Sequence, residues 1–356
     1  MIKILQTGIS DNYGGTEVVA YNYYDELDKN KYHIDFVTSN ERAALEEELI
    51  KTGAQVFKLP HLKKHPLKYF KELEKIIKEE KYDIVHINMN NFANFIPFVV
   101  AKKTRVKKVI LHSHNTGIES GVIKSILHNT SRLLTEKFKV ERLACSEKAG
   151  KWMFKNAPFQ ILENSVDHER FRFNEETRKR VREELGVAED DYLIGSVGRL
   201  CKQKNYSFLI KIFSTYHRMN PKTKLLIVGS GILEEELKEQ AKRLNIEKYV
   251  IFTGFKQDTS PYYQAMDLFC LPSIFEGLGI VGIEAQVSGL PCLFSDNCVE
   301  ELEITNNVSY IPLEDELLWI LMLNEHKDKN VNRNIKIDKY NIKDTVKSLE
   351  LIYSKE

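Results

Sequence analysis

Two glutamates eight positions apart frame the segment richest in chemical potential, Ser273-Ile274-Phe275-Glu276-Gly277-Leu278-Gly279-Ile280-Val281-Gly282-Ile283-Glu284-Ala285. The apolar run Leu268–Leu271 before it reads as a buried strand, so Glu276 stands beyond a strand end, and the glycines open a helix expected over Glu276–Gly289. N–H groups at a helix start attract anions, and glycine lets a ligand approach the backbone closely. Eight residues are slightly more than two helical turns, which would return Glu284 to the side of the helix start. The two carboxylates could then hold two hydroxyl-bearing parts of one ligand. A plain strand–helix turn with solvated glutamates fits the same pattern.

Further candidates also follow apolar runs. Arg199 leaves the strand expected over Tyr192–Val197 and Lys204 lies five residues on, both in what reads as exposed strand-end loop. Two cations there could converge on a diphosphate and neutralise a departing nucleotide, or simply be solvated. In His112-Ser113-His114-Asn115, alternation puts both imidazoles on one face of a strand. A metal site would need a third ligand; none is close in sequence, and His86 belongs to another strand, so none is expected. Gly8-Ile9-Ser10-Asp11-Asn12-Tyr13-Gly14-Gly15 lacks the spacing of a dinucleotide fingerprint. Gly229-Ser230-Gly231 and Phe252-Thr253-Gly254-Phe255 read as turns after strands.

Strand–helix alternation runs twice along the 356 residues. Such alternation argues for parallel sheets with helices on both faces, and the length suits two domains. The first series spans strands near Ile2–Gln6, His33–Thr38, Gln55–Leu59, Ile84–Ile87, Val109–His112 and Arg142–Cys145, with a charged helix at Pro66–Glu80. The second restarts at Tyr192, and Asn164–Phe171 between them shows no periodicity. Five cysteines without a C-x-x-C pair suit reduced thiols. No signal-peptide pattern or run of 18 apolar residues appears, so a cytoplasmic protein that does not span a membrane is expected. Residues 1–165 carry 26 basic against 20 acidic side chains. Residues 60–108 are more basic still, with 12 against 5, including Lys102, Lys103, Arg105, Lys107 and Lys108. Gly117–Val140 reads as a basic amphipathic helix, either core-facing or suited to a membrane surface. Glu325–Asn334 reads as polar and loosely ordered.

Glu276 through Glu284 with Gly289-Leu290-Pro291, and Gly195-Ser196-Val197-Gly198-Arg199-Leu200 with Lys204-Asn205, resemble two signatures of family 4 of the retaining glycosyltransferases (GT4). The resemblance implies an α/β fold of GT-B type: two Rossmann-like, doubly wound parallel-sheet domains facing across a cleft. Residues 1–165 would form the acceptor-side domain, with helix 340–356 packing back on it, and 166–339 the nucleotide-sugar-binding domain. Glu276, Gly277, Leu278, Gly279 and Ile280 would face donor sugar and diphosphate, Glu284 the ribose, and Arg199 and Lys204 the diphosphate. Leu278 stands where many members carry Phe. Gly15, Gly229 and Phe255 would line the donor site, and His114 would lie near the reaction centre, giving a catalytic set of His114, Glu276, Arg199 and Lys204.

The implied reaction moves a hexose or N-acetylhexosamine, with retention, from a nucleotide diphosphate sugar (UDP-sugars first) to a glycan hydroxyl. No cofactor or metal is required beyond that donor. The capsular and exopolysaccharide enzymes are the nearest in pattern, implying a lipid-diphosphate-linked acceptor and peripheral contact with the inner membrane face, and no nucleic acid partner. A GT-B-fold nucleotide-sugar epimerase and a non-catalytic nucleotide-sugar-binding protein are the alternatives.

Overall fold

Strands buried on both faces read as continuous apolar runs, and most of the runs above become strands of two parallel sheets. The structure, a computed structural model, describes residues 1–10, 15–41, 43, 45–114, 122–276, 278–327 and 332–355. It divides into two units, 1–165 with 342–356, and 166–341.

In the first unit the order is β1 (Ile2–Ile9), α1 (Gly15–Glu26), β2 (Tyr32–Thr38), α2 (Glu46–Lys51), β3 (Val56–Lys58), α3 (Pro66–Glu80), β4 (Ile84–Met89), α4 (Ile96–Thr104), β5 (Lys108–Ser113), α5 (Val122–Glu136), β6 (Glu141–Ala144), α6 (Glu147–Phe154) and β7 (Gln160–Ile161). Among the described residues these strands pair in the order β3-β2-β1-β4-β5-β6-β7. The strand β7 extends the set beyond the sequence expectation; it is two residues long and exposed, so it carries no apolar signal.

The second unit runs α7 (His168–Phe171), α8 (Glu175–Glu184), β8 (Tyr192–Val197), α9 (Tyr206–Met219), β9 (Thr223–Val228), α10 (Glu234–Arg243), β10 (Val250–Phe252), α11 (Ser260–Ala265), β11 (Leu268–Leu271), α12 (Ile280–Val287), β12 (Cys292–Ser295), β13 (Val308–Ile311) and α13 (Glu316–Lys327). Its strands order β10-β9-β8-β11-β12-β13. In each sheet the order reverses beside the unit's first strand, at β1/β4 and at β8/β11, and such switch points open crevices at the strands' carboxyl ends. A core of buried side chains that includes Leu209, Phe213, Tyr216 and Trp319 packs against the second sheet.

The last helix, α14 (Ile342–Ser354), belongs to the first unit. Lys108 Nζ donates to its Ile352 carbonyl at 2.6 Å, satisfying a C-terminal acceptor with a cation. Ser165 and Thr345 join their hydroxyls at 2.6 Å.

Two expectations are corrected here. The helix expected from Glu276 begins at Ile280, because the preceding glycine-rich stretch is a poor helix former. The stretch read as loosely ordered is pinned where it is described: α13 reaches Lys327, and the half-buried Arg333 guanidinium donates to the carbonyls of Tyr263, Gln264, Met266 and Ser288 at 2.9–3.1 Å. Residues 328–331 lie outside the described residues.

Candidate functional site

Three strand-end loops of the second unit are zipped together by backbone hydrogen bonds. Gly198 N–H donates to Val228 O at 3.0 Å, Leu200 N–H to Ser230 O at 2.9 Å, and Gly229 N–H to Gly254 O at 3.0 Å. Gly229, with φ +140°, is required: a Cβ there would lie 2.1 Å from Gly198 O. This zipper sets the floor from which Arg199 emerges, exposed, and the rim on which Phe255 stands, 41% exposed.

The loops after β8 and β11, neighbours at the switch point, meet in an ion pair. Lys204 Nζ donates to Glu276 Oε2 at 2.7 Å, and Ser273 Oγ donates to the same oxygen at 2.9 Å. The paired side chains are only 14% and 11% exposed. Lys204 is therefore not the exposed loop cation expected; a carboxylate 72 positions away draws it in. The backbone holds the pair in place, with Ile274 N–H donating to Gln203 O at 2.8 Å and Gln203 Nε2 to Phe275 O at 3.1 Å. Gly279 makes room for the glutamate, since a Cβ there would sit 2.8 Å from Glu276 Cγ. Leu278 and Ile280 are buried on either side of it. Gly277 lies outside the described residues.

Glu284 lies on α12 and is buried, its Oε2 accepting from Tyr263 OH at 2.7 Å. Glu276, Leu278 and Gly279 are not helical, so the two-turn argument does not relate it to Glu276. Burial pushes the carboxyl up to about 7, opposed by the Tyr263 hydrogen bond and by the charge of Arg170. Arg170 pairs with Asp258 at 2.9 Å, and Asp258 in turn accepts from Ser260 N–H at 3.0 Å. Sequence reasoning missed Tyr263, Arg170 and Asp258. Asp258 two residues before Ser260-Pro261 is a capping signal, but nothing local marks the other two.

In the first unit, His114 follows β5. His114 Nε2 meets Asn88 Oδ1 at 2.9 Å, and Asn88 Nδ2 donates to Gln6 Oε1 at 2.6 Å and to Thr7 O at 3.2 Å. With the Asn88 amide hydrogens so used, Oδ1 must accept, and His114 carries its proton on Nε2. The His112 ring packs against that of His114, tilted by 40° with centroids 4.0 Å apart. His86, set apart from this pair in the sequence reading, reaches His112 Nδ1 at 3.2 Å because β4 pairs with β5, and on its other side meets Tyr353 OH at 2.8 Å. Burial holds His86 and His114 at about 3 and His112 well below its ordinary value, so all three are neutral at pH 7. Gly15, exposed, begins α1; Ser10 N–H and Oγ donate to Glu17 Oε1 at 3.1 and 2.6 Å across residues 11–14, which with Asn115 lie outside the described residues.

The helix α5 has its polarity reversed relative to an ordinary surface helix. His128, Ser131, Arg132 and Thr135 are buried, whereas Ile126, Leu127, Leu133 and Leu134 are 44–59% exposed, as is Phe138 beyond the helix at 42%. The core-facing alternative therefore fails for its described side chains, which exclude residues 117–121 and those of Val122 and Ile123. Lys124, Lys137 and Lys139 are exposed beside this apolar face. The upstream basic cluster is smaller than it reads: Lys103 pairs with Glu74, Lys107 with Asp83, and Lys108 is spent on α14.

Two family models match the chain, Glycosyltransferase Family 4 over residues 13–170 and Glycosyl transferases group 1 over residues 177–314. EpsF of Bacillus subtilis (strain 168), named as a glycosyltransferase, is 30% identical over 320 residues, 85% of this chain and 81% of its own. The UDP-Gal:alpha-D-GlcNAc-diphosphoundecaprenol alpha-1,3-galactosyltransferase of Escherichia coli is 26% identical over 322 residues, 85% of this chain and 82% of its own. Among solved structures, Anabaena HepE in complex with UDP-glucose superposes over 99% of this chain and 100% of its own, with a TM-score of 0.82 at 18% identity.

The raised Glu284 carboxyl has a consequence for stability. The folded state binds its proton more tightly than the unfolded chain, where the ordinary value is 4.5. Its contribution is thus fully present below 4.5 and is lost as pH rises through about 7. Denaturant unfolding of the wild type should show stability falling across that window more steeply than in Glu284→Gln, which keeps the acceptor for Tyr263. Identical pH profiles for the two would show that the carboxyl is not so perturbed.

Proposed function

The chain belongs to glycosyltransferase family 4, and from that membership and the geometry of its second unit we propose that it transfers a hexose or N-acetylhexosamine from a UDP-sugar, with retention, to a hydroxyl of a lipid-diphosphate-linked glycan in capsular or exopolysaccharide synthesis. Residues 166–341 would bind the donor and the first unit the acceptor. The observation that carries the reading is the Lys204–Glu276 pair at the β8/β11 switch point. A sparsely hydrated cation and carboxylate that satisfy each other are available to a ligand offering both a diphosphate and sugar hydroxyls.

In this reading the diphosphate draws Lys204, with Arg199 beside it, and Glu276 turns to the sugar hydroxyls. The bond from the anomeric carbon to the phosphate oxygen breaks as charge develops on the departing diphosphate, which the two cations stabilise. The acceptor oxygen bonds to the same face of that carbon, and its proton passes to the leaving phosphate. The buried Glu284 takes the ribose hydroxyls, exchanging Tyr263 for them. His114, neutral at pH 7, contributes hydrogen bonding, not positive charge. The relatives support the donor and acceptor classes: one is named for UDP-galactose and a diphosphoundecaprenol-linked sugar, another is bound to UDP-glucose.

No helix among the described residues is long and apolar enough to cross a membrane. The outward apolar face of α5 with Lys124, Lys137 and Lys139 fits instead the surface of an anionic bilayer, where the first unit would dock on the cytoplasmic face. Each cation near such a surface adds about 1 kcal/mol.

Nucleotide release from a panel of UDP-, GDP- and ADP-sugars should single out a UDP-sugar, and Glu284→Ala should weaken UDP binding by about ten- to a hundredfold in calorimetry. Unchanged affinity would remove Glu284 from the site. Co-sedimentation should show the protein on anionic vesicles at low salt and released as salt rises. Equal partitioning onto neutral and anionic vesicles, or none onto either, would reject the docking surface.

A further inference from the structure

A cavity of about 340 Å³ opens in the first unit between α5 and α6, lined by Ser125, His128, Asn129, Arg132, Trp152 and Lys155. The histidines of β4 and β5 do not line it. Arg132 is only 6% exposed, and its Nε lacks a hydrogen-bond partner; its Nη1 donates to Asn129 Oδ1 at 2.9 Å. The Glu136 carboxylate pairs with it at 3.9 Å from Nε, beyond hydrogen-bonding distance. His128 accepts the Phe92 N–H on Nδ1 at 3.2 Å, which leaves the proton of its neutral ring on Nε2 as a donor. Its ring stacks on Trp152 with centroids 4.7 Å apart. Burial and the adjacent charges of Arg132 and Lys155 hold His128 below its ordinary value. The wall thus combines two cations with ring and amide donors, and the Glu136 side chain beside Arg132 is 39% exposed.

The helical repeat says what lies next to this wall. At 100° per residue, Ile126 and Leu133 follow immediately around α5 from Ser125, Asn129 and Arg132. An anion in the cavity would have its apolar tail laid along the exposed stripe. We propose that this cavity is a binding site for the phosphate group of a lipid, built to take the charged head beside Arg132 and Lys155 while the chain lies over Ile126 and Leu133. The phosphate can come from the diphosphate of the acceptor or from a bilayer phospholipid, since both present the same chemistry here. The proposal rests on the membrane-side reading of the first unit above and gives that reading a specific pocket.

Trp152 reports on the site, because the chain's other tryptophan, Trp319, is buried in the second unit. Emission would be titrated with farnesyl diphosphate, dihexanoylphosphatidylglycerol below its micelle concentration, farnesol and sodium pyrophosphate. At least one of the two lipid phosphates should saturate the signal about tenfold more tightly than farnesol or pyrophosphate, and whichever binds more tightly names the source. Asn129→Asp keeps the acceptor for Arg132 while placing a negative charge in the cavity, and Lys155→Gln removes a cation. Each should weaken that binding about tenfold or more. Both should leave UDP affinity and the melting temperature unchanged. Pyrophosphate binding as tightly as either lipid, no saturable change with any probe, or unaltered affinity in both variants would overturn the site. If the wild type ignores vesicles but binds the soluble lipid phosphate, the docking reading fails and the pocket stands. If it binds vesicles but the variants keep their affinity for the probes, the pocket fails and docking stands.

Discussion

Lys204 and Glu276 hold opposite charges 2.7 Å apart with little water around either, and the second unit is arranged to make that tolerable. Two charges nearly out of solvent are costly unless they satisfy each other, and removing one strands the other. The surroundings follow from this. Gly198 lacks a Cβ that would press on Lys204 Cε at 3.3 Å, Gly279 lacks one that would strike Glu276 Cγ, and Ser273 supplies a second hydrogen bond to the carboxylate. The sheet order places the two loops side by side, and the backbone bonds between Gln203 and residues 274–275 fix their spacing. A diphosphate sugar offers each partner a substitute for the other, which is why the pair suits the proposed donor.

The first unit obeys a different constraint, since its polar groups lie inside. Gln6, His86, Asn88, His112, His114 and Tyr353 link three adjacent strands to the last helix through buried contacts. Neutral imidazoles make that interior affordable, as charged ones would not be. On α5 the same preference for buried polar groups turns His128 and Arg132 inward and Ile126 and Leu133 outward. An apolar face left toward solvent needs a partner, and the exposed lysines beside it favour an anionic one.

Much of the fold is legible in the sequence because buried parallel strands announce themselves as apolar runs. Tyr192–Val197, Val250–Phe252 and Leu268–Leu271 are read at their observed bounds. The strand Val308–Ile311 escapes because it is only partly buried, whereas Cys292–Ser295 goes unread although it is buried throughout. The family signatures bring Glu276, Lys204 and Arg199 into view as residues, but not their geometry. The Lys204 partner lies 72 positions away, and His86 meets His112 only through the order of the sheet. Periodicity reveals that α5 is amphipathic without saying which face turns inward; that depends on donors and acceptors such as Phe92 N–H, contributed by distant segments.

The central claim is that Lys204 and Glu276 touch the donor and do not merely hold two loops together. Turnover of the preferred nucleotide sugar and melting temperature, measured together for Lys204→Gln, Glu276→Gln and the double variant, separate these roles. Each single variant strands a charge and should melt lower, and the double variant, with its neutral amide pair, should recover most of that stability. Turnover should not recover: all three should remain about a hundredfold or more below wild type, because the groups meeting diphosphate and sugar are gone. Activity returning in the double variant along with its melting temperature would show the pair to be a structural clasp and would contradict the account.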